Sequence, residues 1–394
     1  MFRLIVFICL LAGWLSACSS GQTAFREGNY DLAVQRAAFR LQQAKGPFKR
    51  GHRLAHIIIR EAFVRAYNQH QAAIRQLSAR PDPANPFRWE PVFQRYTQLQ
   101  LLTDNARSGS PHQCDSCAAW LATYPASYAT QQHEVRQLAA EDRYQAAEDA
   151  FAERIRDRLA AKEAYLNYNK ATDWVPGYRD SRDKSAQALP FAILRVVVDP
   201  IGPTREIDSD DNRELEQLIF RNIERNPTPS TFVRLYLPQQ AVDTDFNVHQ
   251  VVQMKVTDYS PFNETLSSSS TKVYSNQTYK VGEKKINDST KVAIMEKVSG
   301  TLTTHRREIK AGLDLRMRAL NTFTDKVVWE ETVWETRTWV TEWETFSGDD
   351  RALNGNSLKT ADLHPPSRWQ LYSSMRDELA DDVARRLRSR YAKD

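Results

Sequence analysis

Three groups of residues have types and spacings suited to chemistry: four cysteines, eight histidines, and tryptophans set among glutamates. Cys114-Asp-Ser-Cys117 is a CxxC pair, but a thioredoxin-like redox site needs such a pair at a helix start after a strand, where the thiol pKa falls. Here it follows the loop-like Ser108-Gly109-Ser110-Pro111. Zinc needs two more ligands, with His112 the only near candidate, and haem attachment fails because Ala118 stands where that motif requires His. In an oxidising compartment the pair is expected to close a short disulfide. No histidines have metal-site spacing: His133-Glu134 lacks the second His of a zinc-protease helix. A nucleophile elbow, a phosphate-cradling loop and a dinucleotide fingerprint are missing as well, so no cofactor or metal is expected and the chain reads as non-enzymatic. The exception worth weighing is Trp329, Trp334, Trp339 and Trp343 among Glu330, Glu331, Glu335, Glu342 and Glu344. Aromatic faces stack on sugars and paired acids cleave them, while the same residues on a solvated strand pair, covered by a terminal helix through Leu379, Val383 and Leu387, are structural. If uncovered, the four tryptophans are a candidate partner surface.

These residues follow a start that reads as a targeting segment. Arg3 supplies a positive charge, and Leu4 to Trp14 form an apolar run too short to span a bilayer. Leu15-Ser16-Ala17-Cys18 then resembles the lipobox of bacterial lipoproteins. That resemblance implies cleavage before Cys18, with residues 1–17 as signal peptide carrying Cys9 away, and acylation (palmitate or similar chains) of Cys18 as the membrane anchor. Each buried methylene contributes about 0.8 kcal/mol, so several chains anchor stably without a transmembrane helix. Ser19 after the cysteine, by resemblance to lipoprotein sorting rules, implies the outer membrane, with the body facing the periplasm of the cell envelope.

The positioning elements fall into two regions of an α+β multidomain chain. With 394 residues, 41% of them hydrophobic, there is enough chain for two or three cores. A net charge of +5, from 54 basic and 49 acidic residues, gives no general case for nucleic acid. The positive charge is concentrated in Arg376, Arg385, Arg386, Arg388, Arg390 and Lys393, on helical spacing, which reads first as a solvated helix face and second as a site for an anionic lipid or polymer.

Residues 18–178 are expected to be helical, with apolar residues at three- and four-residue spacing, as in Leu54, Ile57, Ile58, Phe63 and Tyr67. Gly28-Asn29-Tyr30-Asp31-Leu32-Ala33 resembles the turn and second-helix start of a tetratricopeptide repeat. Tyr144 to Ala147 repeats the Tyr-x-x-Ala, and Ala164, Tyr168, Ala171 and Pro176 resemble a closing helix. The resemblance implies stacked helix pairs with a concave, protein-binding groove; an irregular bundle with a Tyr/Ala core is the alternative.

A polar link, residues 179–185, is expected to lead into an α/β domain over 186–394. Strands are predicted from Phe191 to Asp199-Pro200, over Thr231–Leu237, Val248–Val256, Ile309–Leu320 and Lys326–Thr336, with helices over Asn212–Ile223 and Leu371–Tyr391. That order suggests an α/β sandwich with a mixed sheet. The strand ending in Asp199-Pro200, then Gly312 to Leu320 returning through Lys326-Val327-Val328-Trp329, resembles the periplasmic domain of curli-secretion and penicillin-binding-protein-activator lipoproteins. A polar insertion, residues 257–299, departs from the pattern. In the curli-secretion family an insertion there builds barrel hairpins, which demand an alternation this segment lacks.

The expectation is a lipid-anchored scaffold or binding subunit whose partners are envelope proteins, with a homo-oligomer as one option. Alternatives are a regulator of cell-wall synthesis, a carbohydrate-active enzyme using Glu331 or Glu335, and a secretion-channel subunit.

Overall fold

The computed structural model describes residues 20–43, 49–79, 86–109, 119–241, 247–287 and 290–393. Cys18, His112, Cys114 and Cys117 lie outside the described residues. The protein is α+β and multidomain: two compact units divide between Ala192 and Ile193.

The first unit is helical: α1 (Gln22–Arg26), α2 (Tyr30–Gln42), α3 (Lys49–Ala79), α4 (Trp89–Gly109), α5 (Ala129–Ala152), α6 (Arg158–Trp174) and α7 (Ser181–Ala192). Gly28, at φ 78°, takes the left-handed turn that brings α1 back onto α2. Asn29 caps α2, its side-chain oxygen accepting from the Leu32 amide at 3.2 Å, which satisfies one of the helix's orphan donors. Ala33, Ala37 and Ala38 are fully or almost fully buried, small enough to let neighbouring helices approach. In α3 the buried stripe runs through Ala55, Ile58, Ile59, Ala62, Phe63 and Ala66. Ile57, expected inside, is exposed because one step along a helix turns a side chain about 100° away from its neighbour. The predicted polar link also differs: residues 181–192 continue the helical unit as α7, which takes in Phe191 and Ala192 and so delays the first strand. Asp183 in its first turn suits the helix N-terminus.

The second unit is built on β1 (Leu194–Gly202), α8 (Ser209–Glu224), β2 (Val233–Tyr236), β3 (Gln250–Asn287), β4 (Thr290–Asn321), β5 (Val327–Gly348) and α9 (Arg368–Tyr391). The sheet order is β2-β1-β3-β4-β5, with β1 parallel to β2 and β3, and the β3-β4-β5 meander antiparallel. Asp199-Pro200 breaks the β1–β3 register as a bulge, which suits a proline without an amide to donate. Strict alternation places Val252, Met254 and Val256 of β3, and Leu313, Leu315, Met317 and Ala319 of β4, in the core. Leu215, Ile219 and Ile223 of α8 and Met375, Leu379, Val383 and Leu387 of α9 cover that face. At about 1.5–3 kcal/mol for each large apolar side chain fully buried, this layer is the main stabilising term of the unit. The opposite face carries the exposed Gln253, Lys255, Arg316, Arg318, Glu330 and Trp334.

The predicted polar insertion is continuous strand. β3 and β4 stay paired from Gln250↔Asn321 out to Asn287↔Thr290, and β5 accompanies β4 only to the pair Gly300↔Gly348. Beyond that point β3 and β4 alone form an arm. β4 runs ten steps from Thr290 to Gly300. With a rise of about 3.3 Å per residue, those steps carry it about 33 Å past the third strand.

Candidate functional site: the tryptophan strand, a basic cleft and the arm

The four tryptophans do not share a surface. Odd-numbered residues of β5 face the helices, so Trp329, Trp339 and Trp343 lie on one side and Trp334 on the other. Trp329 is 8% exposed and sits in the core with Leu379, Val383 and Leu387; Trp339 packs partly against that core. Trp343 stacks on His305 with ring centroids 5.1 Å apart. Trp334, 61% exposed, is the one tryptophan of the set left open. A partner surface made of all four is thereby corrected: the period-2 pleat of a strand sends position 334 to the opposite face from 329, 339 and 343.

The glutamates divide in the same way. Glu331 and Glu335 face the helix side, each against an arginine: Glu331 accepts from Arg386 Nη1 at 2.5 Å and Glu335 from Arg337 Nη1 at 3.3 Å. Glu330 lies on the open face, 3.8 Å from Arg316 and 3.9 Å from Arg318.

Where α9 runs out over the sheet, a cleft of about 600 Å³ is lined by Gln250, Val328, Trp329, Glu331, Arg386, Ser389, Arg390, Tyr391 and Lys393. A relay of hydrogen bonds fixes its floor: Trp329 Nε1 donates to the Tyr391 hydroxyl at 3.2 Å, and that hydroxyl donates to Gln250 Oε1 at 2.8 Å. Arg390 lies over the Trp329 ring, 5.7 Å from its centroid, within reach of a cation–π attraction. Arg386 also reaches Asp382, Nε to Oδ2 at 2.7 Å, and Asp382 receives Arg385 as well. Asp382 and Glu331 raise the Arg386 pKa, Asp382 contributing most. The terminal basic run is therefore not uniformly solvated: Arg376 pairs with Glu214 and Arg388 donates to the Asn222 carbonyl, while Arg390 and Lys393 line the cleft.

The arm is braced at its base. Buried Ser275 accepts from the Val298 amide at 3.1 Å and donates to the Gln277 carbonyl at 2.6 Å. Asn354, after β5, accepts from the Asn276 amide and donates to the Tyr274 carbonyl. Arg351 covers the Tyr279 ring at 4.5 Å. At Gly300 the Phe346 ring occupies the space a side chain would need, a Cβ there falling 2.0 Å from Phe346 Cζ. Further out, Val281, Ile286, Val292, Ile294 and Met295 are exposed among Lys280, Lys284, Lys285, Lys291 and Lys297.

In the helical unit, Tyr144, Ala147, Ala164, Tyr168 and Ala171 come together in one cluster with Ala188. Sequence reading missed the polar network beside it. Tyr168 and Lys184 both donate to Glu148 Oε1, at 2.5 and 2.6 Å, and Tyr144 donates to Asp180 at 2.6 Å. Burial raises the Tyr168 pKa and the Glu148 bond adds to it, while Glu148 raises that of Lys184, so both keep their protons at neutral pH. The network ties α5, α6 and α7. Among the described residues no group of three or more His, Cys, Asp or Glu is placed to hold a metal, and no helix is long and apolar enough to cross a membrane.

No protein-family model matches the chain, and no curated protein does. Among solved structures, one described as a neuraminyllactose-binding hemagglutinin homolog from Helicobacter pylori aligns over 50% of this chain and 83% of its own, with 9% identity and a TM-score of 0.22. That likeness is too slight to bear on fold or function.

Proposed function

We propose that this protein is a lipid-anchored, non-enzymatic binding subunit of the bacterial envelope, held by acylated Cys18 at the outer membrane and docking partner proteins through the β3–β4 arm. The observation that carries the reading is the arm's exposed apolar set. Val292 and Ile294 share one face of a ribbon that, among the described residues, has no third strand past Gly300 and is braced by the segment after β5 only at its base, through Arg351 and Asn354. Soluble surfaces rarely display apolar side chains grouped this way unless something covers them, and the surrounding lysines favour a partner with acidic surface. Anchoring confines the arm to a thin layer and raises its effective concentration for neighbours in the same membrane. The helical unit, if it stacks as tetratricopeptide-like pairs, adds a second groove.

The test is affinity purification of the full-length lipidated chain from native membranes, beside Cys18→Ala and a Val292→Lys/Ile294→Lys variant. A constant set of envelope proteins with the wild type, depleted in the arm variant and lost from the membrane fraction with Cys18→Ala, is the expected result. Recovery of the chain alone in all three defeats the reading. A secretion-channel subunit is the second reading, favoured by the long strand pair itself and opposed by the lack of apolar alternation on either face. It predicts ring oligomers in detergent.

A further inference from the structure

The cleft at the end of α9 joins two features that lie far apart in the sequence, the tryptophan strand and the terminal basic run. We infer that it is a binding site for a small organic anion, a hydroxylated molecule of sugar size carrying one carboxylate or phosphate. The inference does not depend on the scaffold reading.

Charge is the first argument. Three cations line the cleft, Arg386, Arg390 and Lys393, against one carboxylate, Glu331. Arg386 is already engaged by Glu331 and Asp382. Among the described residues neither Arg390 nor Lys393 has a carboxylate partner, whereas Arg386 has two. Cations near a helix C-terminus are ordinarily explained by the helix dipole. Arg390 departs from that explanation, because its guanidinium lies against the Trp329 ring.

Preorganisation is the second. The Trp329–Tyr391–Gln250 relay fixes the indole, and the Arg390 guanidinium lies over that fixed ring, 5.7 Å from its centroid. A guanidinium drawn over a ring by cation–π attraction still has N–H groups to offer an oxyanion, and a planar fork loses little freedom on binding one. Size and polarity give the class. The volume of about 600 Å³ falls within the usual range for small-ligand sites. Ser389 and the Gln250 side chain present polar groups suited to a hydroxylated body, the Tyr391 hydroxyl being taken up by the relay. Glu331 limits the charge: a ligand with a second anionic group would meet its carboxylate.

Isothermal titration of the full-length chain in detergent, with D-glucuronate, D-glucose 6-phosphate, inorganic phosphate and neutral D-glucose, tests this. Binding of glucuronate or of glucose 6-phosphate, weakening as salt rises, with no heat from glucose, is expected; which of the two binds decides between carboxylate and phosphate. Arg390→Gln should weaken binding about tenfold or more, as loss of a charge-assisted bidentate contact does. Lys393→Gln, at an exposed position two residues past α9, should weaken it by a smaller factor without touching the fold. Glu331→Gln should tighten it. The proposal is overturned if neither charged sugar binds, if glucose binds as well as they do, if inorganic phosphate binds as tightly as glucose 6-phosphate, or if Arg390→Gln and Lys393→Gln both bind like wild type.

Discussion

Trp329 and Trp334 are the same residue type five positions apart on one strand, and the pleat gives them opposite energetic roles. Trp329 fills the layer between β5 and α9 and donates to Tyr391. Replacing it by Ala removes a large buried ring and strips the Tyr391 hydroxyl of a donor, so Trp329→Ala should cost the second unit about 3–5 kcal/mol in denaturant unfolding. Trp334→Ala, on the open face, should stay within about 0.5 kcal/mol. Equal losses from both would mean that the open face is covered in solution. The cleft was not legible in advance: Trp329 and Arg390 are far apart in the chain, and no local pattern announces that β5 and the end of α9 coincide. What could be read was the helix cover, because Leu379, Val383 and Leu387 recur at the spacing of one helix face.

Among the elements, α4, α5 and α6 are joined through Glu90 at the start of α4. Glu90 accepts from Arg143 Nε of α5 at 2.7 Å and from Trp174 Nε1 of α6 at 3.0 Å. Burial pushes its pKa up, but the bonds from Arg143 and Trp174 outweigh burial and the net shift is downward. A carboxylate with a folded pKa below its unfolded value stabilises fully above the unfolded value and loses that stabilisation as pH falls through the folded one. The helical unit should therefore weaken progressively below about pH 4.5, the ordinary glutamate value. Glu90→Gln should cost about 1–3 kcal/mol at neutral pH and flatten the acid limb of a stability-against-pH curve. It should not abolish that limb, because Glu141 and Glu148 are also held low. An unchanged acid limb would remove Glu90 from this account. The elements also show where polarity patterns fail. Val252, Met254 and Val256 alternate with polar residues, and the core part of β3 is legible from them. Tyr259 and Phe262 still pack on the helix layer; from Asn263 onward β3 leaves it, carries Ser, Thr and Lys on both faces, and has no contrast for a period-2 pattern to detect. Its β-favouring Thr, Val and Tyr content is the remaining signal.

Across the whole molecule, each unit has a core of its own. Residues 193–393 alone should therefore unfold cooperatively, as followed by near-ultraviolet circular dichroism; a featureless spectrum would show that the second core needs the first unit. The length of β3 and β4 has a kinetic consequence for that core. Val256 lies opposite Leu315, and bringing two such distant positions together from an open chain costs loop-closure entropy. Zipping inward from the pair Asn287↔Thr290 replaces one long closure with many short ones, each new pair formed next to an existing one. The arm is thus a folding guide as well as a display. Substituting a flexible Gly/Ser loop of equal length for residues 276–297 should slow refolding of the second unit in stopped-flow experiments while leaving its unfolding rate nearly unchanged; equal refolding rates would mean that the core strands find each other without it.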